Sequence, residues 1–244
     1  MNIAIITAKG GNLSISNKNL IKIHGKTMLS YVINAATDAQ KIDHVFVSTE
    51  CGLIKEEAIR LNAEIIDRPK HLATPDANHG DAILHAAMEA EKKLKQIDNV
   101  TILLGNSILI RAEDIDRTVS ALEGNANADS AMTVWKAQDD HPYRAMRITE
   151  EGWLASFGST ATLNTNRQSY PSAYYYDQGP WTVRQRILHE AKKKKAGPAC
   201  WWWMGSHCIP VLRPWVTGKD VHTMLDVAIA KAWFSEKMWE YDND

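Results

Sequence analysis

The sequence predicts an α/β layered fold with a mostly parallel sheet, on two observations. Short apolar runs that suit buried strands recur between residues 3 and 136, and segments with helical apolar spacing alternate with them. Ile3–Ala8 is the first such run and ends at Gly10-Gly11, as a buried strand opening into a loop should. Met28–Ala39 has helical spacing and Asp43–Thr49 is again a strand, so a right-handed crossover is expected between the two strands. The alternation continues with a helix at Leu53–Leu61, a short strand at Ala63–Ile66, a helix at Gly80–Leu94 and a strand at Val100–Leu104. Arg111–Leu122 reads as a helix with acidic residues in its first turn, where the helix dipole favours them. Ala131–Lys136 resumes the sheet. Beyond Asp139 the texture changes, and Ala155–Tyr176, rich in Ser, Thr, Asn and Tyr, suits a loop or a small antiparallel insertion. Thr223–Trp239 closes the chain as a helix with one apolar face, and no internal repeat is visible.

The 244 residues, 45% hydrophobic and 23% charged, exclude disorder, collagen and coiled coil. Lys plus Arg at 28 against Asp plus Glu at 29 gives a net charge of −1, so no basic field advertises nucleic acid or a membrane surface, and an anionic ligand must be held locally. Cys51, Cys200 and Cys208 are too scattered for a disulfide framework and read as free thiols. No stretch reaches the roughly 18 apolar residues of a membrane span, and no secretory leader is apparent. A cytoplasmic, complete protein is expected.

The loop Lys9-Gly10-Gly11-Asn12 follows the first strand, where open α/β sheets place ligands. Its glycines let backbone N–H groups approach an oxyanion, and Lys18-Asn19 lies near enough to fold back over it; a plain tight turn is the competing reading. Gly25-Lys26-Thr27 is not a phosphate-binding P-loop, because Leu20 stands where its first glycine belongs, and Gly10-Gly11 lacks dinucleotide-fingerprint spacing. Cys200, His207 and Cys208 lack the spacing of a zinc site. Lys192–Lys195 reads as a solvated helix end, and Trp201-Trp202-Trp203 as core or interface packing. In Asp220–Asp226, Asp220 and His222 alternate and would face one way in an extended segment, as metal or acid/base groups; a helix start capped by Thr223 or Asp220 fits equally.

Taken together, these segments resemble the CMP-sialic acid synthetase (acylneuraminate cytidylyltransferase) family. The family opens near I-P-A-R-G-G-S-K-G-I-P-x-K-N-L, and Ile6–Leu20 keeps that frame without a gap. Gly25–Leu29, Val45–Thr49, Arg68–Ala73, Ala112–Asp116, His141–Arg144 and Asp220–Asp226 are further family-like pieces in order, while Ala155–Pro214 matches only at Asp177-Gln178-Gly179. The resemblance implies one Rossmann-like α/β domain of nucleotidyltransferase type over residues 1–244, with a dimerisation excursion near 140–180 and a homodimer. It implies transfer of CMP from CTP to a sialic-acid-like keto-sugar acid, pyrophosphate release, and a divalent metal, Mg2+ with Mn2+ as a substitute.

By position, the resemblance puts Lys9 and Lys18 on the triphosphate as catalytic groups. Ala8, Gly10, Gly11, Asn12 and Asn19 would complete the nucleotide loop, with Arg68, Ala77 and His79 near cytosine and ribose. Asn106, Ser107, Arg111, Gln178 and Gly179 fall at the acceptor, and Asp220 with His222 at the metal. Departures are plain: Lys9 replaces an arginine, Leu13 a lysine and His222 an aspartate, and Leu104–Ile110 stands for Q-P-T-S-P-L-R with Arg111 one place late. Lysine gives up a bidentate fork for a point charge, and imidazole suits zinc, iron or nickel better than magnesium. A different acidic acceptor, such as another keto-sugar acid, a phosphonate or a sugar phosphate, is therefore one alternative. A noncatalytic nucleotide-binding relative is another, which the retained Lys18, Asp220 and glycines count against. A glycosyltransferase would need a D-x-D at a central strand end, and the nearest pair, Asp139-Asp140, reads as a solvated loop.

Overall fold

A computed structural model of the chain describes residues 1–11, 17–158, 169–198, 200–214 and 220–238. A seven-stranded sheet is built from β1 (Asn2–Thr7), β4 (His44–Thr49), β5 (Glu64–Asp67), β6 (Asn99–Leu104), β7 (Ser130–Lys136), β10 (Tyr174–Arg184) and β11 (Cys208–Leu212). Its spatial order is β11-β7-β10-β6-β1-β4-β5. Strands β6, β1, β4 and β5 pair in parallel, as does β11 with β7, while β10 runs antiparallel to both neighbours. Two small hairpins, β2 (Lys22–Ile23) with β3 (Lys26–Thr27) and β8 (Met146–Ile148) with β9 (Leu154–Ser156), stand outside it.

Alternation along β1 fills both faces. Ile3 and Ile5 join Phe46 and Ile102 beneath α3 (His79–Lys93) and α5 (Gln185–Ala191), and Ala4 and Ile6 join Val47 and Leu103 beneath α1 (Met28–Asp38), α2 (Gly52–Arg60) and α4 (Ala112–Glu123). The helices start where side chains satisfy their first amides: Thr27 Oγ1 accepts from Ser30 N at 3.2 Å, and Asn78 Oδ1 from Gly80 N at 2.8 Å. At α6 (Met224–Ser235) Thr223 and Asp226 cap reciprocally, Asp226 Oδ2 accepting from Thr223 N at 2.7 Å. The helix-start reading of that segment is thus realised, with Thr223 as cap. Trp239, expected in this helix, lies outside the described residues.

Strands β10 and β11 have no counterpart in the sequence reading, whereas helix α5 supplies the helix whose solvated end is expected at Lys192–Lys195. β10 begins inside the segment read as an insertion and belongs to the central sheet, whereas the β8–β9 hairpin stands outside it. The middle of β10 carries the polar run Asp177-Gln178-Gly179, which erases the strand signature. Asp177 is nevertheless fully buried, because Arg213 Nη1 reaches its Oδ2 at 3.0 Å and the Gly179 carbonyl at 2.9 Å. Arg213 Nη2 also meets Asp114 Oδ2 at 3.2 Å and the Leu109 carbonyl at 2.9 Å, tying three elements together. β11 contains Pro210, which an edge strand tolerates. Trp201 and Trp203 are core residues packed on Trp181, and Lys192–Lys195 are exposed, with Lys195 Nζ over the Trp202 ring at 4.7 Å from its centre. Among the described residues no helix is long and apolar enough to cross a membrane.

Candidate active site

The parallel strands β1, β4, β5 and β6 all end at one edge of the sheet, and the loops leaving that edge enclose a cleft of about 320 Å3. Lys9 arrives from the loop after β1, Lys18 and Asn19 from a short 3-10 turn, and Arg68 from the end of β5. Ala77 and His79 come from the approach to α3, Asn106 from the loop after β6, and His222 from the segment before α6. Asp220 stands directly behind His222. Asn12 lies outside the described residues.

The first loop is held from several sides. Asn19 Nδ2 donates to the Lys9 carbonyl at 3.1 Å, and Lys9 Nζ reaches the Thr74 carbonyl at 3.5 Å. Gly11 takes a φ of 61°, the left-handed region that glycine adopts without strain. Ala8 is buried under this loop against Gly105, where any Cβ would come within 2.9 Å of the Ala8 Cβ. The Gly10 amide donates to Glu50 Oε1 at 2.8 Å, so a carboxylate holds the donor that the sequence assigns to a phosphate.

Three cations converge here in a chain whose net charge is only −1. Arg68 is nearly buried and braced on Ser48, through Nη2 to its carbonyl at 2.8 Å and Nε to its hydroxyl at 3.2 Å. Burial pushes its guanidinium pKa down, and Glu50 opposes the shift. Lys18 donates to the Val221 carbonyl at 3.1 Å and lies 3.5 Å from His222 Nδ1. Burial lowers its pKa, Lys9 pushes the same way, and Asp220 and Asp226 oppose. His79 lines the same cleft, its Nε2 2.9 Å from Thr7 Oγ1. Desolvation first, then Arg68 and Lys9, hold its pKa down at about 4, so the ring is neutral at pH 7.

Asp220 closes the cleft from the other end of the chain. Its Oδ1 lies 2.8 Å from His222 Nε2 and its Oδ2 accepts from Asn106 Nδ2 at 2.7 Å. Among the described residues no group of three His, Cys, Asp or Glu side chains could cage a metal unaided. A nucleotide-bound magnesium ion needs less, since it keeps waters and phosphate oxygens and takes one or two protein carboxylates. The donor set fits that demand through the Asp220 carboxylate, which contacts the cleft-lining His222 and Asn106; His222 adds a nitrogen that manganese accepts more readily than magnesium.

The remaining sequence candidates sit elsewhere. Ser107 is buried, and its Oγ has no hydrogen-bond partner among the described residues. Arg111 is exposed at the start of α4, its amide donating to Asp114 at 3.1 Å and its Nε 3.8 Å from the same carboxylate. Gln178 and Gly179 belong to the turn held by Asp177 and Arg213, outside the cleft's lining. Sequence reasoning passed over Thr7 and Glu50. Both occupy the carboxyl ends of parallel strands, and that position was the available signal.

The cytidylyltransferase family profile matches residues 3–188. Post-translational flagellin modification protein B of Campylobacter coli is 28% identical over 185 residues, covering 75% of this chain and 77% of that one. A Helicobacter pylori protein described as pseudaminic acid cytidylyltransferase and UDP-2,4-diacetamido-2,4,6-trideoxy-beta-L-altropyranose hydrolase is 29% identical over 174 residues, which are 71% of this chain but 32% of that longer one. In fold, the chain is similar to a CMP:2-keto-3-deoxy-manno-octonic acid synthetase solved with CTP, with a TM-score of 0.71 at 14% identity, over 97% of this chain and 99% of that one. The glycine loop, the cations at the sheet edge and the match over most of the sheet agree: the chain belongs to the cytidylyltransferase family and is a CTP-dependent enzyme of that class.

Proposed function

We propose that the protein transfers the cytidylyl group of CTP to a sialic-acid-like keto-sugar acid. The acceptor's anomeric hydroxyl attacks the α-phosphorus and gives up its proton to water, the new P–O bond forms as the bond to the β-phosphate oxygen breaks, and pyrophosphate leaves. Lys9, Lys18 and Arg68 neutralise the triphosphate, and charge that grows on the leaving group is met by groups already in place. A divalent ion, magnesium or manganese, bound with the triphosphate would supply further charge neutralisation, with Asp220 and His222 as its protein donors. The observation that carries this reading is the convergence of the three cations on one cleft. Calorimetric titration with CTP, UTP, GTP and ATP, each with magnesium, is expected to show micromolar binding of CTP alone; a preference for another nucleotide would overturn the donor.

A second acceptor reading has its own support. Of the five residues expected at a sialic-acid-type acceptor only Asn106 lines the cleft; Arg111 meets Asp114, and Gln178 and Gly179 lie in the segment held by Asp177 and Arg213. An acceptor panel scored by pyrophosphate release, containing keto-sugar acids, a phosphonate and sugar phosphates, separates the two.

We also propose a homodimer through the β8–β9 hairpin, where Ile148 is 74%, Trp153 72% and Phe157 71% exposed. Apolar area of this kind is stabilised when a second copy covers it. Light scattering at working concentration should give twice the chain mass, and Trp153→Glu should return the protein to monomer. A monomeric wild type would refute the dimer.

A further inference from the structure

The peptide unit between Lys9 and Gly10 is gripped at both ends. Its carbonyl accepts from Asn19 Nδ2 at 3.1 Å, and its N–H donates to Glu50 Oε1 at 2.8 Å. The second bond is charge-assisted, the stronger kind, and it reaches the loop from the turn between β4 and α2. That turn also presses on the loop, since a Cβ on Gly10 would lie 2.9 Å from the Cys51 Cβ. Glu50 Oε2 is buried without a hydrogen-bond partner among the described residues, so the Gly10 amide is the carboxylate's one hydrogen bond there. On one side of the clamped unit the Lys9 side chain lines the cleft, and on the other Gly11 turns through the left-handed region. A carboxylate thus holds an amide of the loop where phosphates are expected, and one N–H cannot serve two anions at full strength.

We infer that Glu50 is a positioning residue for the triphosphate: by keeping the Gly10 amide it fixes the Lys9–Gly10 peptide and bars a phosphate from that donor, so that the triphosphate settles against Lys9, Lys18 and Arg68 in one register. The inference rests on the CTP reading above. Were the peptide free to turn, its N–H would give the triphosphate a second way to lie, bound as well or better but with the α-phosphorus out of line for attack. Glu50 therefore lowers affinity for the nucleotide and secures its alignment, which trades ground-state binding for rate.

Wild type, Glu50→Gln and Glu50→Ala, each with 15N-labelled glycine, are saturated with CTP and magnesium and measured for coupling across a hydrogen bond between the Gly10 amide nitrogen and 31P. Glutamine keeps an acceptor oxygen for the amide and alanine does not. No coupling is expected in the wild type or in Glu50→Gln, and a coupling is expected in Glu50→Ala. Calorimetry should find CTP bound by Glu50→Ala at least as tightly as by the wild type, and up to about tenfold more tightly. With whichever acceptor of the panel above releases pyrophosphate fastest, kcat is expected to fall about a hundredfold in Glu50→Ala and to be largely restored in Glu50→Gln. A merely structural role would weaken CTP binding and kcat together and produce no coupling. The inference is overturned by a coupling in the CTP-bound wild type, by its absence in Glu50→Ala, by weaker CTP binding in that variant, or by one kcat shared by all three proteins. If Glu50→Ala does not fold, the other two proteins carry the test, and a coupling in either overturns it. A wild type that binds CTP and shows the coupling leaves the CTP reading standing, whereas one that binds no CTP brings down both.

Discussion

Replacing Lys18 with alanine is expected to slow pyrophosphate release by about a thousandfold, equivalent to about 4 kcal/mol of transition-state stabilisation. The size follows from where the ammonium sits. Lys18 is 8% exposed, so its charge acts through protein and ligand with little water between, where a fixed charge counts for far more than at the surface. It is also aimed, since the Val221 carbonyl holds Nζ at 3.1 Å without cancelling its charge. Charge accumulates on the triphosphate as pyrophosphate departs, so the loss should fall mainly on kcat, with CTP affinity changed less. Lys18→Arg keeps the charge but not the compact geometry and should recover part of the rate. Full turnover in Lys18→Ala would remove Lys18 from the mechanism.

The second large effect concerns stability. Arg213→Met leaves the Asp177 carboxylate buried without its cation and leaves Asp114 only the longer contacts to Arg111 and Arg117, at 3.8 and 3.7 Å; breaking a buried pair by removing one partner costs about 3–5 kcal/mol. Urea denaturation of the two proteins measures it; a difference under about 1 kcal/mol would mean that the cluster contributes no more than a surface pair. Its pH dependence has a definite sign. Burial raises the Asp177 carboxyl above its ordinary value, and Arg213 opposes that. A raised folded-state pKa favours the fold while the group is protonated, and that contribution is lost as pH rises through the folded value. Without Arg213 the raised value climbs further, so the variant's deficit should be full at neutral pH and shrink as Asp177 takes up its proton in acid.

The parallel half of the sheet is legible in the sequence because its strands are buried on both faces and read as apolar runs, as Ile3–Ile6 and Val100–Leu104 do. β10 is not, because its polar middle is buried through Arg213, a residue some three dozen places away that no local window contains. The same distinction divides the site. Lys9, Lys18, Arg68, Ala77 and His79 follow strand ends in a familiar frame, and the fold does bring them to one cleft. The resemblance places Arg111 and Gln178 by position alone, and other partners fix where they stand, the neighbouring Asp114 for the one and the distant Arg213, through Asp177 and Gly179, for the other. Thr7 and Glu50 carry no motif. Their roles come from what faces them across the loop, His79 in one case and Gly10 in the other.

The backbone around Val221 has a consequence for how the molecule is made. Val221 donates its amide to the Asn106 carbonyl at 3.2 Å and accepts from Lys18, 203 residues earlier in the chain. A ribosome moving at roughly 5–20 residues per second exposes Lys18 about 10–40 seconds before its partner. The parallel strands can condense during that interval, while the buried ammonium waits in water without the carbonyl that aims it. The cleft is thus incomplete in the nascent chain until residues 220–222 are translated. A message broken just before the codon for Asp220 would yield the strands of the sheet with the cleft's cations and an open gap where Asp220, Val221 and His222 belong.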